Sequence, residues 1–212
     1  PTTECTLRPT TTVTVPAVVI PILIAAFAAY GFAWMKFPGR KPLFIMIVAL
    51  LAVPLQIALI PLARLFGDLG LFGTIPGVVL FHVGFGLPFA IFLLRNFFVG
   101  VPRELFESAR VDGANDFVIF MRILIPLALP AIASLTIFQF LWVWNDLLVA
   151  MVFADPASAP LTAAIQRQTR AFGQNVDVIA PGAFLQMVVP LIVFFAFQRY
   201  FVQGILGGAV KG

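Results

Sequence analysis

The chain is predicted to be an all-α, polytopic helical membrane protein, and three observations carry that expectation. First, 61% of its 212 residues are hydrophobic and 10% are charged, where a water-soluble domain is roughly 25% charged. Second, the apolar residues gather into five runs close to the ~20 residues that a helix needs to cross a bilayer. Third, the runs are continuous. Strands of a membrane barrel alternate apolar with polar over ~10 residues, and stretches such as 18–29 and 188–197 do not. Backbone groups cannot be left unpaired in hydrocarbon, so these runs are read as helices.

The spans are placed at residues 13–35, 43–62, 75–94, 125–152 and 183–202. The first carries a small-residue stripe, Ala25, Ala29 and Ala33, which lets another helix approach closely. The second holds Pro54 and Pro61, and the third Pro88. The fourth and fifth hold Pro130 and Pro190. Each proline removes a helix hydrogen bond and bends the span. His82, alone on an apolar helix, is read as a packed, hydrogen-bonded core residue. Polar groups inside spans are costly and often functional. Gln139, Asn145 and Asp146 in the fourth span are the best candidates, with Gln56 and Gln186 behind them. Asp146 lies toward the end of its span, where a carboxylate can also simply reach interfacial water. Residues 1–12 are Thr-rich, without the basic and apolar regions of a signal peptide. They are expected to form an irregular or truncated leader before a membrane domain at 13–212.

Lys36, Arg40 and Lys41 follow the first span, and Arg95, Arg103, Arg110 and Arg122 follow the third. Arg199 and Lys211 lie at and beyond the end of the last. Arg8, Arg64, Arg167 and Arg170 fall on the other side. The side richer in Lys and Arg is expected to be cytoplasmic, and this bias accounts for the net charge of +4 without a nucleic-acid partner. Cys5 is the one cysteine, so no internal disulfide and no Cys/His metal site is expected. Lys36, Lys41 and Lys211 are followed by Phe, Pro and Gly, so none ends a phosphate-binding P-loop. No catalytic residue and no cofactor of the chain's own is expected.

The connection at 101–126 is patterned. Pro102 suits the first turn of a helix, and Glu104 suits its positive end. Glu107 is spaced to pair with Arg103 or Arg110. Leu105, Phe106 and Ala109 form a short apolar stripe, and Gly113 suits a left-handed stop. A second helix opens near Asp116, with Phe117, Phe120, Met121 and Leu124 at helical spacing. Such a helix–Gly–helix element can dock on a partner protein, pack on the bundle or lie on lipid, and the pattern alone leaves these open.

Glu107-Ser108-Ala109, three residues, Gly113, nine residues and Ile123-Leu124-Ile125-Pro126 resembles the EAA motif of ABC importer permeases. That motif reads Glu-Ala-Ala, three residues, Gly, nine residues, Ile, any residue, Leu-Pro; here Ser108 and Ile125 are the departures. Asp112-Gly113-Ala114 also resembles the motif's Asp-Gly-Ala. Phe37-Pro38-Gly39-Arg40-Lys41, Trp144-Asn145-Asp146 and Gln198 to Gly204 are similar to the carbohydrate branch, near the maltose-type inner-membrane permease.

The resemblance implies a type I importer permease core in a bacterial or archaeal cytoplasmic (inner) membrane. The family usually has six spans, so either the first is missing here or the start of the chain has diverged. It implies coupling to a separate ATPase through Glu107, Ala109, Asp112, Gly113, Ala114, Ile123 and Pro126. ATP would be bound by that ATPase dimer. A second permease subunit, identical or different, would complete a solute path lined by Gln139, Asn145 and Asp146. An extracytoplasmic solute-binding protein would meet Arg167, Arg170 and Gln174. The expected cargo is a sugar or sugar-like solute. An amino acid, peptide or polyamine remains the alternative, and a secondary transporter a more distant one.

Overall fold

A computed structural model describes residues 3–155, 159–169 and 176–209. Among the described residues all regular structure is helical, apart from one parallel bridge between Gly73 and Ala154.

Helix α1 (Thr3–Trp34) runs back through the Thr-rich stretch, where the sequence predicts an irregular leader. The threonines fit because they bond backward. Thr12 donates to the Arg8 carbonyl at 2.7 Å, and Thr11 to the Leu7 carbonyl at 3.0 Å. Each hydroxyl thus finds an acceptor within the helix. The second expected span is not one helix. It is a pair, α2 (Arg40–Leu50) and α3 (Leu55–Asp68), bent by 99°. Pro54 caps α3, and proline pushes the residue before it, Val53, out of helical conformation.

Helix α4 (Ile75–Val99) opens at Thr74, whose hydroxyl accepts from the Gly77 N–H. After α5 (Glu104–Val111) comes α6 (Asp116–Ile119). A π turn at Phe120–Leu124 then leads into α7 (Ile125–Trp144). Pro126 explains the turn. It lacks an N–H and would clash with the Arg122 carbonyl, and widening the turn relieves both problems. The fourth span is therefore Asp116–Trp144, starting before the expected 125 and ending before 152. Beyond it lie α8 (Leu148–Phe153), α9 (Leu161–Thr169) and α10 (Val176–Ala209). Four helices are long and apolar enough to cross a membrane, five when the bent pair counts as one.

Helices α1 and α4 pack along each other, with α7 against both and α10 against α7. The contact surface includes the predicted alanines: Ala25 and Ala29 are fully buried and Ala33 packs beside them. Large side chains such as Phe27, Ile57, Ile60 and Phe195 remain outside, as lipid-facing side chains do. Tracing the chain puts the 35–40 turn and α5 at one end of the bundle. The α7–α8 break and α9 lie at the other, where the Leu161 N–H donates to Thr10.

Candidate functional site

The coupling segment is fastened from behind. Phe106 is 2% exposed, with its ring 4.1 Å from that of Trp34 at the end of α1. Phe120 meets Tyr30 and Phe27 at 5.3 and 4.9 Å. Ala109, Ala114 and Ile123 pack on the same cluster. Helix α5 ends in a Schellman turn. The Ala114 N–H donates to the Ala109 carbonyl at 2.9 Å, and the Gly113 N–H to that of Arg110 at 3.0 Å. This closure needs a left-handed residue, and Gly113 supplies it at φ 82°. Asp112 is the helix C-cap. The spacing from Ala109 to Ala114 is thus the spacing of one turn type. Asn115 then caps α6, its side chain accepting from the Val118 N–H at 2.9 Å, and Pro126 sets the π turn.

The expected partners of Glu107 differ. Among the described residues no ion pair joins it to Arg103 or Arg110. Arg110 reaches instead across the Gly113 turn to Asp116 at 2.9 Å. The Asp116 carboxylate strengthens the guanidinium's hold on its proton. Glu107 stays exposed. The helix begins at Glu104 rather than Pro102, and Leu105 leaves the buried stripe. The second apolar row splits. Phe120 and Leu124 turn inward, while Phe117 is 63% exposed and Met121 also faces out. Val111, at 87%, is the most exposed large apolar side chain described.

The other end of α7 is built differently. Gln139, 4% exposed, donates to the Ala17 carbonyl of α1 at 3.1 Å. It lies against Gly86 of α4, where an added Cβ would collide with its amide. Asn145 ends α7 by donating to the Leu141 carbonyl at 2.8 Å. It is exposed, beside a cavity of about 470 Å³ between α7 and α10 that Gln186, Met187 and Phe194 also line. Gln186 and Trp144 exchange two hydrogen bonds across that interface, at 3.0 and 3.2 Å. Asp146 points the other way. Its carboxylate accepts from the Ala150 N–H at 3.1 Å and the Val149 N–H at 3.4 Å, opening α8. It also lies 3.6 Å from His82. His82 is buried as expected but not alone.

Of the three polar candidates, Asn145 reaches the larger cavity. Gln139 borders a smaller one between α4 and α7. Gln186, ranked behind them by sequence, stands with Asn145; its two bonds across the helix pair were not legible in one dimension. Arg167 is exposed on α9. Arg170 and Gln174 lie outside the described residues.

Comparison with known proteins agrees with this architecture. The family model for the "binding-protein-dependent transport system inner membrane component" matches residues 14–207. An osmoprotective compounds uptake permease of Synechocystis is 54% identical over 94% of this chain and 68% of its own length. An alpha-glucoside transport system permease of Rhizobium meliloti is 56% identical over 95% of this chain, which spans 55% of that relative. Among solved structures, a bacterial ABC transporter involved in import of the acidic polysaccharide alginate matches with TM-score 0.77 and 26% identity. The match covers 93% of this chain and 75% of that one. The chain belongs to the family of binding-protein-dependent transport system inner membrane components.

Proposed function

We propose that this chain is the permease subunit of an ATP-driven ABC importer, carrying an alpha-glucoside or similar small polyhydroxylated solute into the cytoplasm. A family member of this kind is a multi-pass component of the inner membrane and not an enzyme. The energy comes from a partner ATPase, seated on residues 101–126. The observation that carries the coupling reading is the contrast within that segment. Its back is fixed to the bundle through Phe106, Ile119 and Phe120, while Val111 and Phe117 stand exposed beside an unbridged Glu107. Exposed apolar residues with a charged neighbour suit a protein groove, and a fixed back lets that groove's motion reach α1 and α7.

Within this reading Glu107 contacts the ATPase, and Ala109, Asp112, Gly113 and Ala114 hold the turn. Ile123 and Pro126 connect it to α7. Asn145, with Gln186, borders the solute path that a second permease subunit completes. Asp146 and Gln139 support that wall from behind. Uncharged amides bordering an otherwise apolar cavity suit a neutral, hydroxyl-rich solute. Arg167 on α9 contacts the solute-binding protein, and the same contact is assigned to Arg170 and Gln174 from their place in the sequence.

The test uses the assembled importer in proteoliposomes. Val111→Asp, Phe117→Asp and Glu107→Lys should each lower solute uptake and solute-stimulated ATP hydrolysis at least tenfold. Melting of the subunit should shift by no more than ~0.5 kcal/mol equivalent, as for surface substitutions. Full uptake in all three variants would remove the coupling assignment.

A further inference from the structure

His82 is the one histidine of the chain, and Asp146 is the one carboxylate among the described side chains that is not exposed. They meet inside the bundle, with Nε2 3.6 Å from Oδ2 and side chains 2% and 9% exposed. Trp142 stands edge-on to the imidazole at 5.1 Å and Phe81 at 6.1 Å. Among the described residues, the other charged side chains on surrounding elements at this end are Arg8 of α1, Arg64 and Asp68 of α3, Asp155 after α8 and Arg167 of α9, all exposed. Arg95, half-buried on α4 itself, lies toward the other end of that helix.

Hydrogen-bond accounting fixes what the pair must hold. His82 Nδ1 lies 2.9 Å from the Val78 carbonyl. A carbonyl only accepts, so Nδ1 carries a hydrogen. A neutral imidazole has no second one. Its Nε2 would then present a bare lone pair to a carboxylate oxygen, and Nε2 has no other partner. Two buried acceptors facing each other are costly. A hydrogen on Nε2, facing Oδ2 across the 3.6 Å gap, turns two opposed acceptors into a charge contact, and Asp146 still accepts from Val149 and Ala150.

The location gives this proton a task. His82 belongs to α4, and Asp146 lies in the break between α7 and α8. The Asp146 backbone carbonyl also accepts from Thr162 of α9 at 2.7 Å. The preceding residue is Asn145, at the cavity. We propose that His82 and Asp146 share one proton in the bundle interior. This bridged pair is the clasp that holds α4 to the α7–α8 break and so positions Asn145. His82 is then a positioning residue for transport. That role rests on the cavity being the solute path; the shared proton does not.

The experiment uses the assembled importer with this subunit carrying ¹⁵N-labelled histidine, and His82→Gln to assign the signal. The Nε2 resonance of the unmodified protein should report a nitrogen that carries or shares a proton, and Asp146→Asn should move it. A free-acceptor Nε2 unaffected by Asp146→Asn overturns the shared proton. His82→Gln, whose amide also donates an N–H, should keep uptake within about threefold. His82→Leu, with no donor, should lose at least tenfold. A shared proton together with His82→Leu uptake within about threefold of the unmodified importer overturns the positioning role alone and leaves the clasp.

Discussion

The coupling segment and the α7–α8 break handle charge in opposite ways. In the segment, Arg110 and Asp116 pair at 2.9 Å with more than half of each side chain in the open, and Glu107 has no ion-pair partner among the described residues. In the break, one carboxylate lies inside the bundle, bonded to two backbone N–H groups and facing a histidine. Exposed charges cost little to rearrange, so a segment that must engage and release another protein can carry them. A buried charge must be satisfied in every state, so it suits a joint that holds its shape. Substitutions on the free face of the segment should therefore appear in activity. Substitutions behind it and at the polar end of α7 should appear first in stability.

The largest effect tests whether the segment has a fixed back. Phe106→Ala removes a ring packed between α5 and Trp34. It should cost about 3 kcal/mol, read by thermal unfolding of the subunit in detergent. Protease should then cut between 101 and 126 more readily. A stable variant with an uncut segment would mean that Phe106 is not the anchor, and the contrast between fixed back and free face would fail.

A smaller effect probes the polar end. Gly86→Ala drives a methyl into the Gln139 amide. The amide must leave the Ala17 carbonyl, and that loss should cost about 1–2 kcal/mol. Gln139→Ala on the Gly86→Ala background should recover part of it, because the methyl then has room. Melting of the four proteins forms a double-mutant cycle, with an expected coupling of at least ~0.5 kcal/mol. Strict additivity would show that the two helices do not meet through this pair.

These two regions were also unequally legible in the sequence. The segment announces itself because its determinants are local: Ala109, Gly113 and Ala114 lie within one turn, and Pro126 acts on the turn before it. What sequence reading missed there was the partner of Arg110, because Glu107 is the acid at helical spacing from it and only the folded Gly113 turn brings Asp116 within reach. At the polar end the determinants are distant. His82 and Asp146 are on different helices, as are Gln139 and Ala17, and hydropathy carries no information about which apolar faces meet. The 99° bend at Pro54 and the end of α7 at Asn145 were missed for a related reason. Mean apolarity continues across both breaks, while single residues, a proline and a capping carboxylate, stop the helix.

The smallest effect is the sharpest check on the comparison. Asp116→Asn keeps the size of the side chain and removes its charge, so it isolates the ion pair across the Gly113 turn. Both partners are more than half exposed, and exposed pairs contribute roughly 0.2–1 kcal/mol. The variant should therefore melt within about 1 kcal/mol of the unmodified protein at low salt. At 1 M salt the Debye length is about 3 Å, and the two melting curves should converge. A buried charge pair behaves otherwise: losing one partner costs several kcal/mol, and salt that cannot enter does not hide it. A cost above ~2 kcal/mol that persists at 1 M salt would place Arg110 and Asp116 in the same class as the interior joint. Val111 and Phe117 would then border a rigid, closed turn, and the segment would lose the ready rearrangement that docking and release require.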